Sequence, residues 1–232
     1  VADIFPRWTN LIPLIIGVAA PIGLIVVITG IWYWFSPQFT DVGYQPKQPI
    51  PFSHQLHAGS LGIDCRYCHN TVEQAGHAAV PPSATCWGCH GDSNNGALAI
   101  ALNPTTNAPL PSLQPLFESY ATKNPIQWVK VHMLPDYAYF NHSAHISVGV
   151  GCASCHGRID QMEVVRQAKP LSMGWCLECH RDPEPHIRPS SVPPTRMDWD
   201  PEVSRMTTAE VDEVKRKLDK LNPPEHCSGC HR

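Results

Sequence analysis

Five times in 232 residues the chain writes Cys-x-x-Cys-His: Cys65–His69, Cys86–His90, Cys152–His156, Cys176–His180 and Cys227–His231. Together the motifs use all ten cysteines. A Cys-x-x-Cys pair alone suits a zinc knuckle or a redox dithiol, but with His directly behind it the pattern reads as c-type haem attachment. The chemistry explains the spacing: two thiols add to the two vinyl groups of one haem, and the adjacent His turns under the macrocycle as proximal iron ligand. With 13 His in 232 residues, chance would follow all five pairs with His at a joint probability of roughly 5 × 10⁻⁷, which sets the zinc reading aside. Disulfides between cysteines three apart would close only tiny loops and staple nothing. The sequence therefore reads as a carrier of five covalently bound haems. The expected thioethers are on Cys65, Cys68, Cys86, Cys89, Cys152, Cys155, Cys176, Cys179, Cys227 and Cys230, with His69, His90, His156, His180 and His231 as proximal ligands.

That load dictates the fold. The roughly 195 residues after an N-terminal apolar segment leave roughly 40 for each haem. There is little room for a sheet or a large bundle, and 24 prolines argue the same way, each removing a donor and fixing φ. The expected fold is a multihaem cytochrome c, with a few short α-helices and long loops packed around five haems, plus one N-terminal transmembrane helix. The formal charge of −3 understates the acidity of the loaded protein, because five haems add about ten propionates. No Lys/Arg run offers a footprint for nucleic acid. Covalent haem attachment places the polar region on the outer, periplasmic side of a bacterial cytoplasmic membrane, an oxidising compartment.

Leu11 to Phe35 is a run of 25 residues without a charge. As a helix it would reach about 37 Å, enough for a hydrocarbon core of about 30 Å with some tilt. Trp32-Tyr33-Trp34-Phe35 suits one headgroup boundary and Trp8 the other. Pro13 and Pro21 are tolerated in membrane helices. A secretory signal is the competing reading, but its apolar region usually has about 7–15 residues, and no small-residue cleavage site precedes the aromatic cluster. The expected domains are an anchor over 1–36 and a pentahaem domain over 37–232.

The polar region contains a duplication. Phe52-Ser-His54-x-x-His57 precedes Cys65–His69 and Cys86–His90; Phe140-Asn-His142-x-x-His145 precedes Cys152–His156 and Cys176–His180. Each unit of about 40 residues (52–90 and 140–180) holds two motifs. A linker, 91–139, separates them and reads as loop with at most a short helix near Leu113–Tyr120. It is either a partner-facing surface or a plain connector. The fifth motif stands alone in 207–232, where Thr207-Thr-Ala-Glu210 resembles a capping box and Val211, Val214, Leu218 and Leu221 share a helical face.

A haem that only passes electrons is usually closed by a second axial ligand. The Phe-x-His-x-x-His pairs are the leading candidates, because His at i and i+3 project to one side and can reach two different haems. His54, His57, His142 and His145 are therefore expected to ligate iron, and so is His132, which lies in the aromatic stretch Trp128–Phe140. His77, His186 and His226 read as solvated or propionate-bonding. Met162 and Met173 flank the fourth motif; either could supply a thioether, or simply pack against porphyrin.

The string Leu61-Gly-Ile-Asp-Cys65-Arg-Tyr-Cys-His69, taken with the His pair before it, resembles the multihaem cytochromes c that include the small three- and four-haem proteins. Asp136-Tyr-Ala-Tyr-Phe-Asn-His-Ser-x-His145, Gly151-Cys-x-x-Cys-His-Gly-Arg-Ile-Asp-Gln-Met162 and Met173-Gly-Trp-Cys-Leu-Glu-Cys-His-Arg181 narrow the likeness. With them, almost the whole chain resembles the membrane-anchored pentahaem subunit of alternative complex III, a bacterial quinol-oxidising assembly. The resemblance implies partners: polytopic quinol-binding membrane subunits, an iron–sulfur subunit and often a monohaem cytochrome c. It implies an electron-transfer subunit rather than an enzyme, delivering electrons to a soluble acceptor or a terminal oxidase. It also implies that His54 closes the His69 haem and His142 the His156 haem, with His57 and His145 serving haems it does not identify. His77 stands where the family more usually has a non-ligating residue.

Two other readings compete. Single-anchor multihaem quinol dehydrogenases also have one N-terminal helix, but their first motif follows the anchor closely, whereas 29 residues separate Phe35 from Cys65 here. A multihaem reductase would need an open haem beside acid–base groups, yet candidate distal ligands outnumber the haems, and the sequence carries no other catalytic constellation.

Overall fold

The computed structural model describes residues 6–35, 41–91, 105–106, 110–200, 204 and 206–231. It divides into two compact units, Val1–Asp41 and Val42–Arg232. The domain boundary expected between residues 36 and 37 lies outside the described residues, as does much of the 91–139 linker.

The first unit is one helix with a lead-in. Arg7–Leu11 forms a 3-10 turn, in which Thr9 Oγ1 donates to the Pro6 carbonyl at 2.7 Å. Helix α1, Ile12–Phe35, follows. Pro13 falls in its first turn, where a missing N–H leaves no bond unmade, and Pro21 sits in the interior. None of its residues is buried, and apolar side chains occur on every side, including the consecutive Leu14, Ile15 and Ile16. A helix with no polar face has no stable place in water. By length and composition α1 could cross a membrane, a description that a signal sequence also meets.

The second unit is helical. Among the described residues it has no strand, only two isolated antiparallel bridges, Ala138 with His231 and Val150 with Ile187. Its helices are α2 (Cys65–Cys68), α3 (Ser83–His90), α4 (Gln114–Thr122), α5 (His142–Ser147), α6 (Cys152–His156), α7 (Met173–Arg181), α8 (Thr208–Leu218) and α9 (Cys227–Cys230). Every Cys-x-x-Cys pair lies in a helical turn, and local chemistry sets where each helix begins. Asp64 Oδ1 accepts the Arg66 amide at 2.9 Å ahead of α2, and Ser172 Oγ the Trp175 amide at 3.3 Å ahead of α7. Gly151 and Pro82 hold extended backbone before α6 and α3. The Thr207–Glu210 capping box forms at the start of α8, whose Val214 is buried.

The two repeats interlock through the backbone. The His142 and Ser143 amides donate to the Gly76 and Ala75 carbonyls at 3.1 and 3.3 Å, and the Gln55 amide to Met162 at 3.0 Å. Ser53 Oγ reaches Glu163 at 2.6 Å. The fifth motif is tied to the end of the linker by the Tyr139 amide, which donates to the Cys230 carbonyl at 2.8 Å.

Protein-only packing is sparse. The described buried apolar side chains are Ile50, Leu116, Val131, Met162, Ile187, Met197, Trp199 and Val214. The densest knot is polar at its centre. Arg188, only 2% exposed, lies over the Trp199 ring at 4.8 Å and donates to the Arg196 and Pro193 carbonyls at 2.6 and 3.3 Å. Its guanidinium presses on Gly151, where any Cβ would collide with it. A larger residue immediately before Cys152 would force that guanidinium to shift.

Candidate metal centres at the Cys-x-x-Cys-His motifs

In each motif one helical turn sets two Cys three residues apart on one side, with His next along the chain. Outside that turn, the rest of each site comes from distant sequence. Two imidazoles bonded trans to one metal, each at about 2 Å, stand with ring centroids about 6 Å apart. Three pairs in the structure meet this spacing: His57 and His90 at 6.1 Å, His145 and His180 at 6.1 Å, and His142 and His156 at 6.4 Å. The last pair is almost parallel, at 5°. His54 lies close enough to His69 for their charges to interact.

Each repeat orients its His pair with the phenylalanine that opens it. Phe52 stacks on His57 at 4.3 Å and 23°, and meets His54 edge-on at 4.9 Å and 84°. Phe140 does the same to His145, at 4.5 Å and 27°, and to His142, at 4.7 Å and 89°. The second His of each pair also bonds through Nδ1 to the carbonyl four residues back, Ser53 for His57 and Asn141 for His145, both at 2.8 Å. With Nδ1 so engaged, Nε2 is the nitrogen left to face a metal. Sequence reasoning used these phenylalanines only as motif letters; their recurrence in both repeats was the available signal of a role.

The motif histidines are oriented the same way. Nδ1 of His69 bonds the Ala79 carbonyl at 2.8 Å, that of His180 the Pro224 carbonyl at 2.8 Å, and that of His231 the Tyr137 carbonyl at 3.2 Å. His142 Nδ1 bonds Gly76 at 2.9 Å. Nδ1 of His54 and of His90 is buried without a partner. His156 differs: its Nδ1 faces His132 Nε2 at 3.4 Å, the two rings meeting edge-on with centroids 4.5 Å apart. The sequence-expected ligand His132 is thus placed beside a proximal imidazole. Its centroid distance is well short of that between trans ligands on one iron.

Burial favours the neutral form of five of these imidazoles. It pushes His156 down to about 3, helped by His132 and His142, and His54 down to about 4, helped by His69 and His57. His90, His132 and His145 are lowered too, burial again the main cause. Neutral imidazole is the form that binds metal.

The cysteines place the motifs in order. Cys65 and Cys152 share a side-chain hydrogen bond, joining the first motif to the third. Burial raises Cys68, with Cys65 and Cys89 adding to it, so the second motif adjoins the first. Burial, with Cys179 and Cys176, raises Cys155 to about 11, and burial with Cys230 raises Cys176. Neighbouring thiols thus join the second motif to the first, the first to the third, the third to the fourth and the fourth to the fifth.

Around the motifs stand apolar side chains that the protein itself leaves open, among them Leu56, Leu61, Tyr67, Val80, Met133, Tyr137, Tyr139 and Met173. Helix α4 of the linker packs on the second motif: Trp87 stacks on Tyr120 at 3.9 Å and 4°, with Phe117 at 5.0 Å and Lys123 Nζ 4.0 Å over the Tyr120 ring. Met162 is buried at 6% exposure, whereas Met173 is 66% exposed. His226 caps α9, its Nδ1 3.2 Å from Ser228 Oγ, and His186 ends a 3-10 turn. Among the described residues no three or more of His, Cys, Asp and Glu converge where a bare ion could sit. Paired imidazoles, paired thiols and apolar walls are what iron inside a macrocycle requires, and the residues fit haem c.

Known proteins agree with that chemistry. Residues 138–232 match the family described as cytochrome c7 and related cytochrome c. Over 142 residues the chain is 30% identical to the multiheme cytochrome c subunit of a menaquinone reductase from Nitratidesulfovibrio vulgaris, strain Hildenborough. That alignment covers 60% of this chain and 60% of the relative, so the chain spans less than two thirds of the relative's length. From residue 138 onward the chain is similar to cytochrome c7 and related cytochrome c, and one apolar helix precedes that region in sequence.

Proposed function

We propose that this chain is the electron-transfer subunit of a membrane quinol:acceptor oxidoreductase, holding five covalent haems and leaving substrate chemistry to other subunits. The observation that carries the reading is the set of imidazole pairs spaced 6.1–6.4 Å apart. In each repeat, the first His of the pair closes the iron of the first motif and the second His that of the second. His54 serves with His69, His57 with His90, His142 with His156 and His145 with His180. The bound haem supplies one-electron chemistry. At these four sites two imidazoles would hold the iron and leave substrate no place on it, and neighbouring motifs adjoin one another. The protein thus acts as a wire, with α1 as its membrane anchor and the haem domain on the periplasmic side. The partners this implies are polytopic quinol-binding membrane subunits, an iron–sulfur subunit, a monohaem cytochrome c and a soluble acceptor.

A wire carries current either way. The similarity to a menaquinone reductase subunit supports a second reading, in which electrons pass through the chain toward menaquinone. The test is to reconstitute the chain with and without co-purifying membrane subunits and follow its absorbance after adding menaquinol or menaquinone. Reduction by quinol only with the partners present supports the first reading. Quinone-driven oxidation of the reduced chain, with quinol inert, supports the second. Rapid quinol turnover by the isolated chain would sink both. The covalent inventory is checked separately: denatured intact mass should exceed the polypeptide by five haems.

A further inference from the structure

We propose that His132 is a positioning residue for the third motif, its Nε2 accepting the Nδ1–H of the proximal His156. The proposal rests on the haem reading above and reassigns His132 from iron ligand to partner of a ligand. The other proximal histidines with an Nδ1 partner, His69, His180 and His231, use backbone carbonyls of Ala79, Pro224 and Tyr137. At His156 the partner is a side chain, 3.4 Å away with the rings at 86°. The rings stand nearly perpendicular, with these two nitrogens within hydrogen-bond reach of each other. His142 stands 6.4 Å from His156 and nearly parallel to it, the spacing of a trans ligand, whereas the 4.5 Å to His132 is not.

His132 is held where it can do this. Gln48 clamps the preceding backbone, donating to the Val129 carbonyl and accepting its amide, both at 2.9 Å. Val131 is buried beside it. With Nε2 as the acceptor, the proton of the His132 ring sits on Nδ1. An acceptor on the far nitrogen of a metal-bound imidazole fixes its tautomer and ring angle and strengthens it as a donor, which favours ferric iron. This acceptor is a side chain, so it can be changed by mutation, as a backbone carbonyl cannot.

The experiment uses the full haem-loaded chain carrying His132→Leu or His132→Gln, read by intact mass, electron paramagnetic resonance and spectropotentiometric titration. His132→Leu should keep five low-spin haems and raise the reduced-to-oxidised ratio of one haem at fixed potential by about twofold to tenfold, the range of one net hydrogen bond. His132→Gln, which keeps an acceptor, should fall back toward wild type. A new high-spin iron in His132→Leu would make His132 a ligand and overturn the proposal. Unchanged titrations in both variants would reduce it to packing, also overturning it. If His132→Leu fails to mature, an experimental structure of the wild-type holoprotein decides. His132 Nε2 within hydrogen-bond distance of His156 Nδ1 upholds the assignment, and a His132 nitrogen on iron ends it. A wild-type chain lacking haem at Cys152 and Cys155 would instead bring down the haem reading and the proposal together.

Discussion

The two repeats, 52–90 and 140–180, reach nearly the same aromatic geometry by different backbones. Phe52 and Phe140 stack on their second His at 4.3 and 4.5 Å and meet the first edge-on at 84° and 89°. Yet His57 sits in a wide π-helical turn, Gln55–Ser60, whereas His145 sits in the α-helix His142–Ser147 capped by Asn141. The side-chain constellation is what the repeats share. The hydrogen bonds behind it are where they part. His142 bonds Gly76 across the repeat boundary, while Nδ1 of its counterpart His54 is buried without a partner. His69 leans on the Ala79 carbonyl and its counterpart His156 on His132. Duplicated sites keep the groups that would face iron and diverge in the groups that tune those, so two copies of one module can hold unequal potentials.

The largest effect should come from removing motif cysteines. Cys152→Ala with Cys155→Ala should lose one haem by intact mass and loosen the repeat contacts around it, because Cys152 neighbours Cys65 of the other repeat. The same pair of changes at Cys86 and Cys89 should lose one haem with less damage elsewhere. Equal destabilisation in thermal melts would break the proposed order, in which the third motif is internal and the second terminal.

Next come the distal ligands. His57→Ala and His145→Ala should each keep five haems and turn one iron high-spin, with matching spectra if the repeats are equivalent in ligation. An entirely low-spin spectrum in one variant alone would show that the repeats differ there. Phe52→Ala and Phe140→Ala act one step further out. Each should cost about 3–5 kcal/mol where the ring is well packed and less where it is open, with broadened signals from two irons of one repeat and none of the other. Broadening spread over both repeats would show that the wedge is not local.

The smallest effect separates the repeats by pH. Asp64, which caps α2, is held at about 2 chiefly by its hydrogen bonds with Arg66; Gly151 occupies the equivalent place before α6. A carboxylate depressed on folding adds stability above its unfolded value, about 3.9, and that contribution is lost as pH falls through about 2. The pair is well exposed, so the amount is under about 1 kcal/mol. Denaturant midpoints of wild type and Asp64→Asn should therefore differ at pH 6 and converge near pH 2. A difference that persists at pH 2 would assign the effect to the cap's shape rather than its charge.

Much of this architecture was legible beforehand because its causes are local. A Cys-x-x-Cys-His occupies one helical turn, so the five motifs declare themselves within five residues each. An uncharged run of 25 residues declares α1, the Thr207–Glu210 box declares α8, and the recurring Phe-x-His-x-x-His declares the repeat. The short helix expected near Leu113–Tyr120 forms at Gln114–Thr122 for the same reason. What it packs against was not legible, because the Trp87–Tyr120 stack joins residues 33 positions apart.

By itself, then, the sequence determined the chemistry on offer: thiols and imidazoles at covalent spacing, an apolar helix, and a duplicated module with little protein core. Tertiary structure alone decided which imidazoles His57, His145 and His132 meet. His57 faces His90 rather than His69, His132 turns to His156, and the motifs follow one another in an order the chain does not. The reason is physical. A histidine's type and spacing show that it can donate to a metal, but its direction is set by the acceptor behind Nδ1 and the ring beside it. For His69, His142, His156, His180 and His231 those acceptors lie 10 to 94 residues away in sequence, and folding brings them together.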